Sequence, residues 1–280
     1  MVCGSTDIES HVQTKAMMHH DSELRFNFDI CNNCGLVFLN PRVSHEELSA
    51  YYTKAYLPYR GPSAWGKHGN MVASNLKGTD KKRMAKLSSI DSESTILDIG
   101  CGQPSFLKTC YDKFYCRCIG IDFSDQGWKG NSEYDALDLH VGSLELLEQM
   151  PALDFITMWH YLEHDYDPRS TLMQLRKRAS NNTRLLIEVP NFDSASRRKY
   201  AEFWAGYHTP RHTFLFSPDN IERLLNETGW DVIDIDLKGT LDPYNLYWMS
   251  EMEQNNIDWR KDMEQEFWPY VIAMIQFRLK

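Results

Sequence analysis

The chemistry this 280-residue sequence can offer is concentrated in three groups of residues. The first is Asp98-Ile99-Gly100-Cys101-Gly102, with Asp122 twenty residues beyond Gly102. An acid at the carboxyl end of a strand, followed by a bend without side chains, lets a ligand approach the main chain closely. A second acid ending the next strand can accept both hydroxyl protons of a ribose. Together they predict a nucleoside-containing cofactor. A dinucleotide fingerprint would place a third glycine where Ser105 stands, and Asp98 would oppose a pyrophosphate. A cationic, phosphate-free nucleoside suits both acids better. S-adenosylmethionine, with its sulfonium, ammonium and ribose, is such a compound.

The second group is His160, Glu163 and His164, which share one face of a helical turn. The string H-x-x-E-H also matches an inverted zinc-protease motif, but Asp165, Asp167 and Pro168 break the long helix such a site needs. The third group is Cys31-Asn32-Asn33-Cys34-Gly35, a metal knuckle in spacing, with Cys3-Gly4 resembling half of another. Structural zinc takes four ligands. Cys3, Cys31 and Cys34 supply three, and His11, His19 or His20 is at hand as the fourth. Cys101, Cys110, Cys116 and Cys118 read as buried small hydrophobes.

These groups need a scaffold. Thr95–Ile99, Cys116–Ile121, Asp154–Trp159 and Arg184–Val189 read as short apolar strands, with helices at Ser105–Phe114, Thr171–Ala179 and Pro218–Thr228. Trp230–Leu237 alternates as a further strand, and Tyr270–Leu279 reads as a closing strand or a helix end. Strands alternating with helices predict an α/β fold, a parallel sheet with helices on both faces. A basic helix at Lys81–Ser89 precedes it, and residues 61–75, rich in glycine, read as a connection. The expected division is a Cys-containing ribbon-like segment over 1–60, a linker and helix over 61–94, and a cofactor-binding domain over 95–280. An insert over about 191–217 crosses the sheet's carboxyl edge. Lys and Arg number 30 against 39 Asp and Glu, a net charge of -9. That balance opposes nucleic acid and anionic membranes as partners. No apolar run approaches the ~18 residues of a membrane span, and the first thirty residues lack a signal peptide's apolar block. The expectation is a cytoplasmic protein with a small-molecule partner.

The segments ILDIGCG, GIDFS and WHYLEHDYDP resemble class I S-adenosylmethionine-dependent methyltransferases, whose fold is Rossmann-like. The later run VPNFDSASRRKYAEFWAGYHTPRHTFLFS is similar to a methyltransferase-domain family associated with bacterial sugar and polysaccharide synthesis. The resemblance implies that Asp98, Gly100 and Gly102 hold the cofactor's methionine end and Asp122 its ribose. It places Ser143 and Leu144 beside the adenine, with Ser143 where an Asp is common. Trp159 and His160 then lie beside the transferable methyl. Pro104 departs from the family, which has a glycine there. The family's N-terminal ribbon, C-x-x-C-G then C-x-x-C-G-L-x-F-x-N-P-R, is matched in its second half by Cys31–Arg42.

The implied reaction is methyl transfer to a small polar acceptor, above all a hydroxyl of a sugar or nucleotide-sugar. A carbon, nitrogen or quinone-ring acceptor, or a non-catalytic scaffold, remains as the alternative. A sugar hydroxyl needs a base of near-neutral pKa. His164 is the first candidate, then His212, with His160 and His208 also near. Trp204, Tyr207 and Phe203 are placed to stack on a sugar ring and Arg211 to clamp a phosphate or carboxylate. Alternatively, Trp204 and Arg211 fasten the insert to the core.

Overall fold

The computed structural model describes residues 3–19, 23–53 and 56–279. The described residues form nine strands: β1 (Ile8–Lys15), β2 (Arg25–Cys31), β3 (Val37–Leu39), β4 (Thr95–Ile99), β5 (Arg117–Asp122), β6 (Asp138–Val141), β7 (Phe155–Trp159), β8 (Arg184–Glu188) and β9 (Phe214–Leu215). Strands β4 to β8 form a parallel sheet in the order β6-β5-β4-β7-β8. Period-2 alternation gives this sheet two cores. Leu97, Ile99, Ile119, Ile121, Ile156 and Met158 face one side, while Ile96, Cys118 and Phe155 face the other. Helices Ser105–Phe114 and Pro168–Arg178 flank it, giving the expected Rossmann-like class I methyltransferase architecture.

The N-terminal strands make a second, antiparallel sheet, β1-β2-β3-β9, whose last member comes from the insert. Leu36 and Phe38 then pack into the same core as Leu97 and Ile156. The Cys-containing segment is therefore fused to the parallel sheet through β9. The cysteines of the α/β unit are buried thiols, as their spacing suggested.

Three elements differ from the sequence reading. Residues 61–85 are helical almost throughout, a 3-10 stretch Gly61–His68 followed by a helix Gly69–Ala85, where a connection and a shorter helix at Lys81–Ser89 were expected. The glycines there serve close packing: a Cβ on Gly66 would collide with the Glu264 side chain, and one on Gly69 would lie 2.8 Å from the Pro62 carbonyl. Strand β6 has only four residues, two of them polar, and gives no apolar run. Trp230–Leu237 stays unpaired despite its alternation. Of the two readings offered for Tyr270–Leu279, the structure has the helical one, within helix Phe267–Leu279. That helix places Phe267, Met274 and Phe277 against Trp65, Trp248 and Trp259 in a core of its own.

Candidate functional site

The tips of β4 and β5 build the glycine turn. Gly100 and Gly102 hold φ of +71° and +50°, the left-handed region that glycine enters freely. The Gly100 and Cys101 amides donate to the Ile121 carbonyl at 2.8 and 3.1 Å, fixing the bend to β5. Asp122 accepts from the Gly102 amide at 2.9 Å and the Ser124 amide at 3.1 Å. A Cβ on Gly100 would strike the Tyr161 ring at 2.5 Å, whereas one on Gly102 would meet nothing within 4 Å. The space before Gly102 is thus open, and the Pro104 ring does not fill it. Pro104 instead caps helix Ser105–Phe114 from a buried position.

Asp98 is almost fully buried and accepts from Thr157 Oγ1 at 2.6 Å. Burial outweighs that bond and the Arg83 guanidinium, pushing its pKa up to about 7. Its carboxyl therefore lies behind the turn, poised between neutral and ionised rather than exposed as a fixed anion. Burial also raises Asp122, against three backbone amides that lower it. Gly142 donates to the Asp122 carbonyl at 2.9 Å, so Ser143 and Leu144 come next to Asp122 in the fold. Ser143 caps a short 3-10 turn and is exposed.

Strand β7 delivers the second group. The indole N–H of Trp159 is buried without a partner, with Arg83 5.0 Å over its ring. His160 adopts φ of +58° and sits between two carboxylates, Nδ1 3.3 Å from Glu163 and Nε2 3.3 Å from Glu188. Burial pulls the imidazole down, but the two carboxylates raise its pKa to about 9. Glu188, despite burial, falls to about 2 through His160 and Thr240. Glu163 is also lowered by His160 against its burial, and neither of its buried oxygens has a hydrogen bond.

The insert brings His212 and His208 to the same place. The His164 and His212 rings stand perpendicular at 4.5 Å, and His208 lies 4.9 Å from His212. Nδ1 of His212 faces the Gly206 carbonyl at 2.8 Å and must donate, leaving Nε2 with its lone pair 3.9 Å from Glu163. Nδ1 of His164 likewise meets the Arg211 carbonyl at 3.2 Å. Burial lowers all three imidazoles, His212 to about 3, so they are neutral at physiological pH. Tyr52 and Tyr56 reach His164 and His208 from the N-terminal segment, at 3.3 and 2.6 Å.

The residues expected to grip the acceptor sit elsewhere. Arg211 is fully buried; its Nε and Nη2 donate to the Tyr51 carbonyl and its Nη1 to Met17 at 2.9 Å, while it stacks 4.3 Å over Tyr56. Trp204 is buried with its indole N–H on Ser196 at 3.0 Å, and Tyr207 packs on Phe28 at 5.0 Å. They fasten the insert to the N-terminal sheet, so the stacking and clamping assignments are corrected to structural ones. A core and a sugar site use the same residue types, and only burial separates them.

Cys3, Cys31 and Cys34 converge, with all three sulfurs within 4.8 Å of one another and Cys3 3.5 Å from Cys31. Hydrogen bonds from Asn33, the Ser5 amide and the other thiols pull Cys3 down to about 6 against its burial. Burial and the two neighbouring thiols push Cys34 the other way, up to about 11, so Cys3 alone of this pair has the thiolate character a zinc ligand needs. Among the described residues no fourth ligand joins them; His11 packs on Phe192 and His19 on Tyr51, and His20 lies outside the described residues.

Sequence reasoning missed Glu188, Thr157, Arg83 and Tyr52. Glu188 carried a usable signal, an acid at a strand's carboxyl end like Asp98 and Asp122. The other three carried none.

Residues 74–235, more than half the chain, match the methyltransferase domain family. No curated protein matches the chain. Among solved structures, phosphoethanolamine N-methyltransferase 2 of Haemonchus contortus, in complex with S-adenosyl-L-methionine, is similar at 15% identity and a TM-score of 0.53, over 97% of this chain and 64% of that one. Magnesium protoporphyrin IX methyltransferase of Synechocystis, with bound SAH, is similar at 12% identity and a TM-score of 0.50, over 68% of this chain and 91% of the other.

Proposed function

The chain belongs to the methyltransferase domain family, and from that premise we propose that it transfers a methyl group from S-adenosylmethionine to a hydroxyl of a sugar or nucleotide-sugar. The bound cofactor supplies an electrophilic methyl on a sulfonium. Asp122 would accept the ribose hydroxyls, the open face of Gly102 would admit the methionine end, and Asp98 would ionise as the cofactor's cationic groups approach. Ser143 and Leu144 would border the adenine.

The observation that carries the acceptor assignment is the group of neutral imidazoles around Glu163. His164 is half-buried, whereas His212 is nearly fully buried. His164, with Nδ1–H held by the Arg211 carbonyl, keeps Nε2 free to take a hydroxyl proton. We assign it as the base; burial, which lowers His212 to about 3, makes that imidazole a poor holder of the proton. Base catalysis of this kind is worth ~10² to 10⁴ in rate. His160 holds its proton between Glu163 and Glu188 and steadies the loop rather than acting as the base.

We further assign Cys3, Cys31 and Cys34 to a structural zinc, with the N-terminal sheet capping the acceptor side. Free thiols throughout fit a reducing, cytoplasmic setting. Among the described residues no helix is long and apolar enough to cross a membrane.

Transfer of labelled methyl from S-adenosylmethionine into a panel of nucleotide sugars, amines and quinols tests the acceptor. Label in the sugars, with kcat lost in His164→Gln but cofactor binding kept, supports the reading. Label only in amines or quinols, or a His164→Gln variant of full activity, rejects it. Zinc well below one equivalent in elemental analysis rejects the metal.

A further inference from the structure

Helix Gly69–Ala85 carries an acid and a base, Asp80 and Arg83, into the site from outside the parallel sheet. At i and i+3 they share one face of the helix. Both line the cavity onto which Gln103, Ser105 and Trp159 also open. Their side chains are nearly covered, Asp80 at 6% exposure and Arg83 at 16%. Charges are seldom taken this far out of water without a partner.

The two do not satisfy each other. Nη1 of Arg83 stands 3.8 Å from Asp80 Oδ1, beyond hydrogen-bond reach. Its Nε donates to Thr240 Oγ1 at 3.3 Å, and the guanidinium lies 5.0 Å over the Trp159 ring. Among the described residues neither Nη1 nor Nη2 makes a hydrogen bond. The forked edge that matches a carboxylate is therefore unused. The other acids near it are committed elsewhere, Glu188 to His160 and Thr240, and Asp98 to Thr157. Asp80 is tied to Ser105, the first residue of the helix that follows the glycine turn. Burial still raises its pKa against that bond and against Arg83, so a further cation would stabilise its anion. A place for an anion and a place for a cation thus lie side by side at the start of that helix.

Taking S-adenosylmethionine as the ligand of the glycine turn, we infer that Arg83 and Asp80 hold the cofactor's amino-acid end, Arg83 forking onto the α-carboxylate and Asp80 accepting from the α-ammonium. One carbon of an α-amino acid carries both charges, and two opposite charges 3.8 Å apart on one wall match them. A phosphate would meet only Arg83 and be repelled by Asp80 and Asp98. With the ribose on Asp122 and the far end on Arg83, the cofactor is fixed at two points. The sulfonium between them then cannot slide along the crevice, which keeps the methyl aligned with the acceptor.

Calorimetric titration of the full chain with three ligands tests this. They are S-adenosylhomocysteine, its decarboxylated analogue, which keeps the ammonium, and methylthioadenosine, which has neither charge. Arg83→Gln is expected to weaken S-adenosylhomocysteine roughly 10- to 100-fold and to bind the other two as the parent does. Asp80→Asn is expected to weaken the first two by about tenfold and to spare methylthioadenosine. Arg83→Lys keeps the charge without the fork. It is expected to lose part of the same affinity, and replaces the glutamine variant should that one not fold. A pair that only braces the helix would cost all three ligands alike. Equal losses on the three, an Arg83→Gln loss that persists on the decarboxylated analogue, or no loss on S-adenosylhomocysteine overturns the inference and leaves the cofactor assignment standing. A parent that binds none of the three overturns both.

Discussion

Replacing Gly102 by alanine separates the role of the turn as architecture from its role as a ligand berth. At φ of +50° a Cβ is strained against the following carbonyl, a cost of about 1–2 kcal/mol for a non-glycine residue. Alanine also narrows the unfolded ensemble, which returns about 0.4–1 kcal/mol. No atom lies within 4 Å of the new methyl, so no steric charge is added. The net loss is about 1 kcal/mol, or a melting temperature about 2–4 °C lower in a chain of this size. The methyl does, however, project into the open space where a ligand meets the backbone. If S-adenosylmethionine occupies it, overpacking of about 1–3 kcal/mol lowers affinity roughly 5- to 150-fold. Calorimetric titration with S-adenosylhomocysteine, beside a thermal melt, reads both quantities. Gly120→Ala is the control: its Cβ would lie 2.8 Å from Cys101 Sγ and Leu139 inside the core, so stability should fall first. Unaltered affinity in Gly102→Ala, with the small melting shift present, would refute the placement of the cofactor over this turn.

Three other substitutions probe the charges. Asp98 has its folded pKa raised to about 7 from an ordinary 3.8, so between those values the native state keeps a proton that the unfolded chain has released. Stability therefore falls as pH rises from about 4 to 7 and is level above; Asp98→Asn should remove that slope and be the more stable protein at pH 8, by at most ~4 kcal/mol, in urea melts across pH. An unchanged slope contradicts the assignment. For Glu188→Gln, the His160 pKa near 9 should drop by at least about one unit in an NMR titration. The stability that His160 contributes is complete below its unfolded pKa of 6.5 and lost as pH rises through 9, so the variant should lose it at lower pH. Arg211→Lys keeps the charge but loses the forked bonds to Tyr51 and Met17 and the stack on Tyr56, and should cost about 2–4 kcal/mol in denaturant melts. An acceptor KM that rises with no change in stability would instead return Arg211 to a substrate-clamping role.

The glycine turn and its two acids were legible because their signal is positional: a carboxylate at a strand's carboxyl end, then residues without Cβ. Only the topology of a parallel sheet is needed to bring Asp98 and Asp122 together. The convergence of His164 with His212 was legible only through the family motifs, since nothing in residue types says that positions 48 apart will bring their rings edge to face. Arg211 and Trp204 show the reverse. A guanidinium among aromatics is equally suited to a ligand or to a buried backbone clamp, and the choice depends on which carbonyls the N-terminal segment presents. Trp230–Leu237 fails for a related reason. Alternation reports that a segment has two unlike faces, and says nothing of a neighbouring strand to bond with.

The distribution of protons around Glu163 follows from this arrangement and sets His160 apart from the other imidazoles. His160, His164 and His212 face one buried carboxylate, with His208 behind His212, and only His160 is held between two acids. His160 therefore keeps the positive charge, and its φ of +58° is sustained by its own amide on the Glu188 carbonyl at 2.8 Å. With that charge fixed, like-charge repulsion joins burial in keeping His164, His208 and His212 neutral. The position of Glu163 in turn depends on the N-terminal sheet. Thr213, just before β9, donates its amide to the Glu163 carbonyl at 2.7 Å and its hydroxyl to Asp165 at 2.6 Å, and its own carbonyl accepts from Leu39 of β3 at 2.9 Å. The knuckle that ends in Cys34 leads directly into β3. An N-terminal segment loosened at the cysteines should thus disturb proton transfer before it disturbs the parallel sheet, lowering kcat at unaltered cofactor affinity.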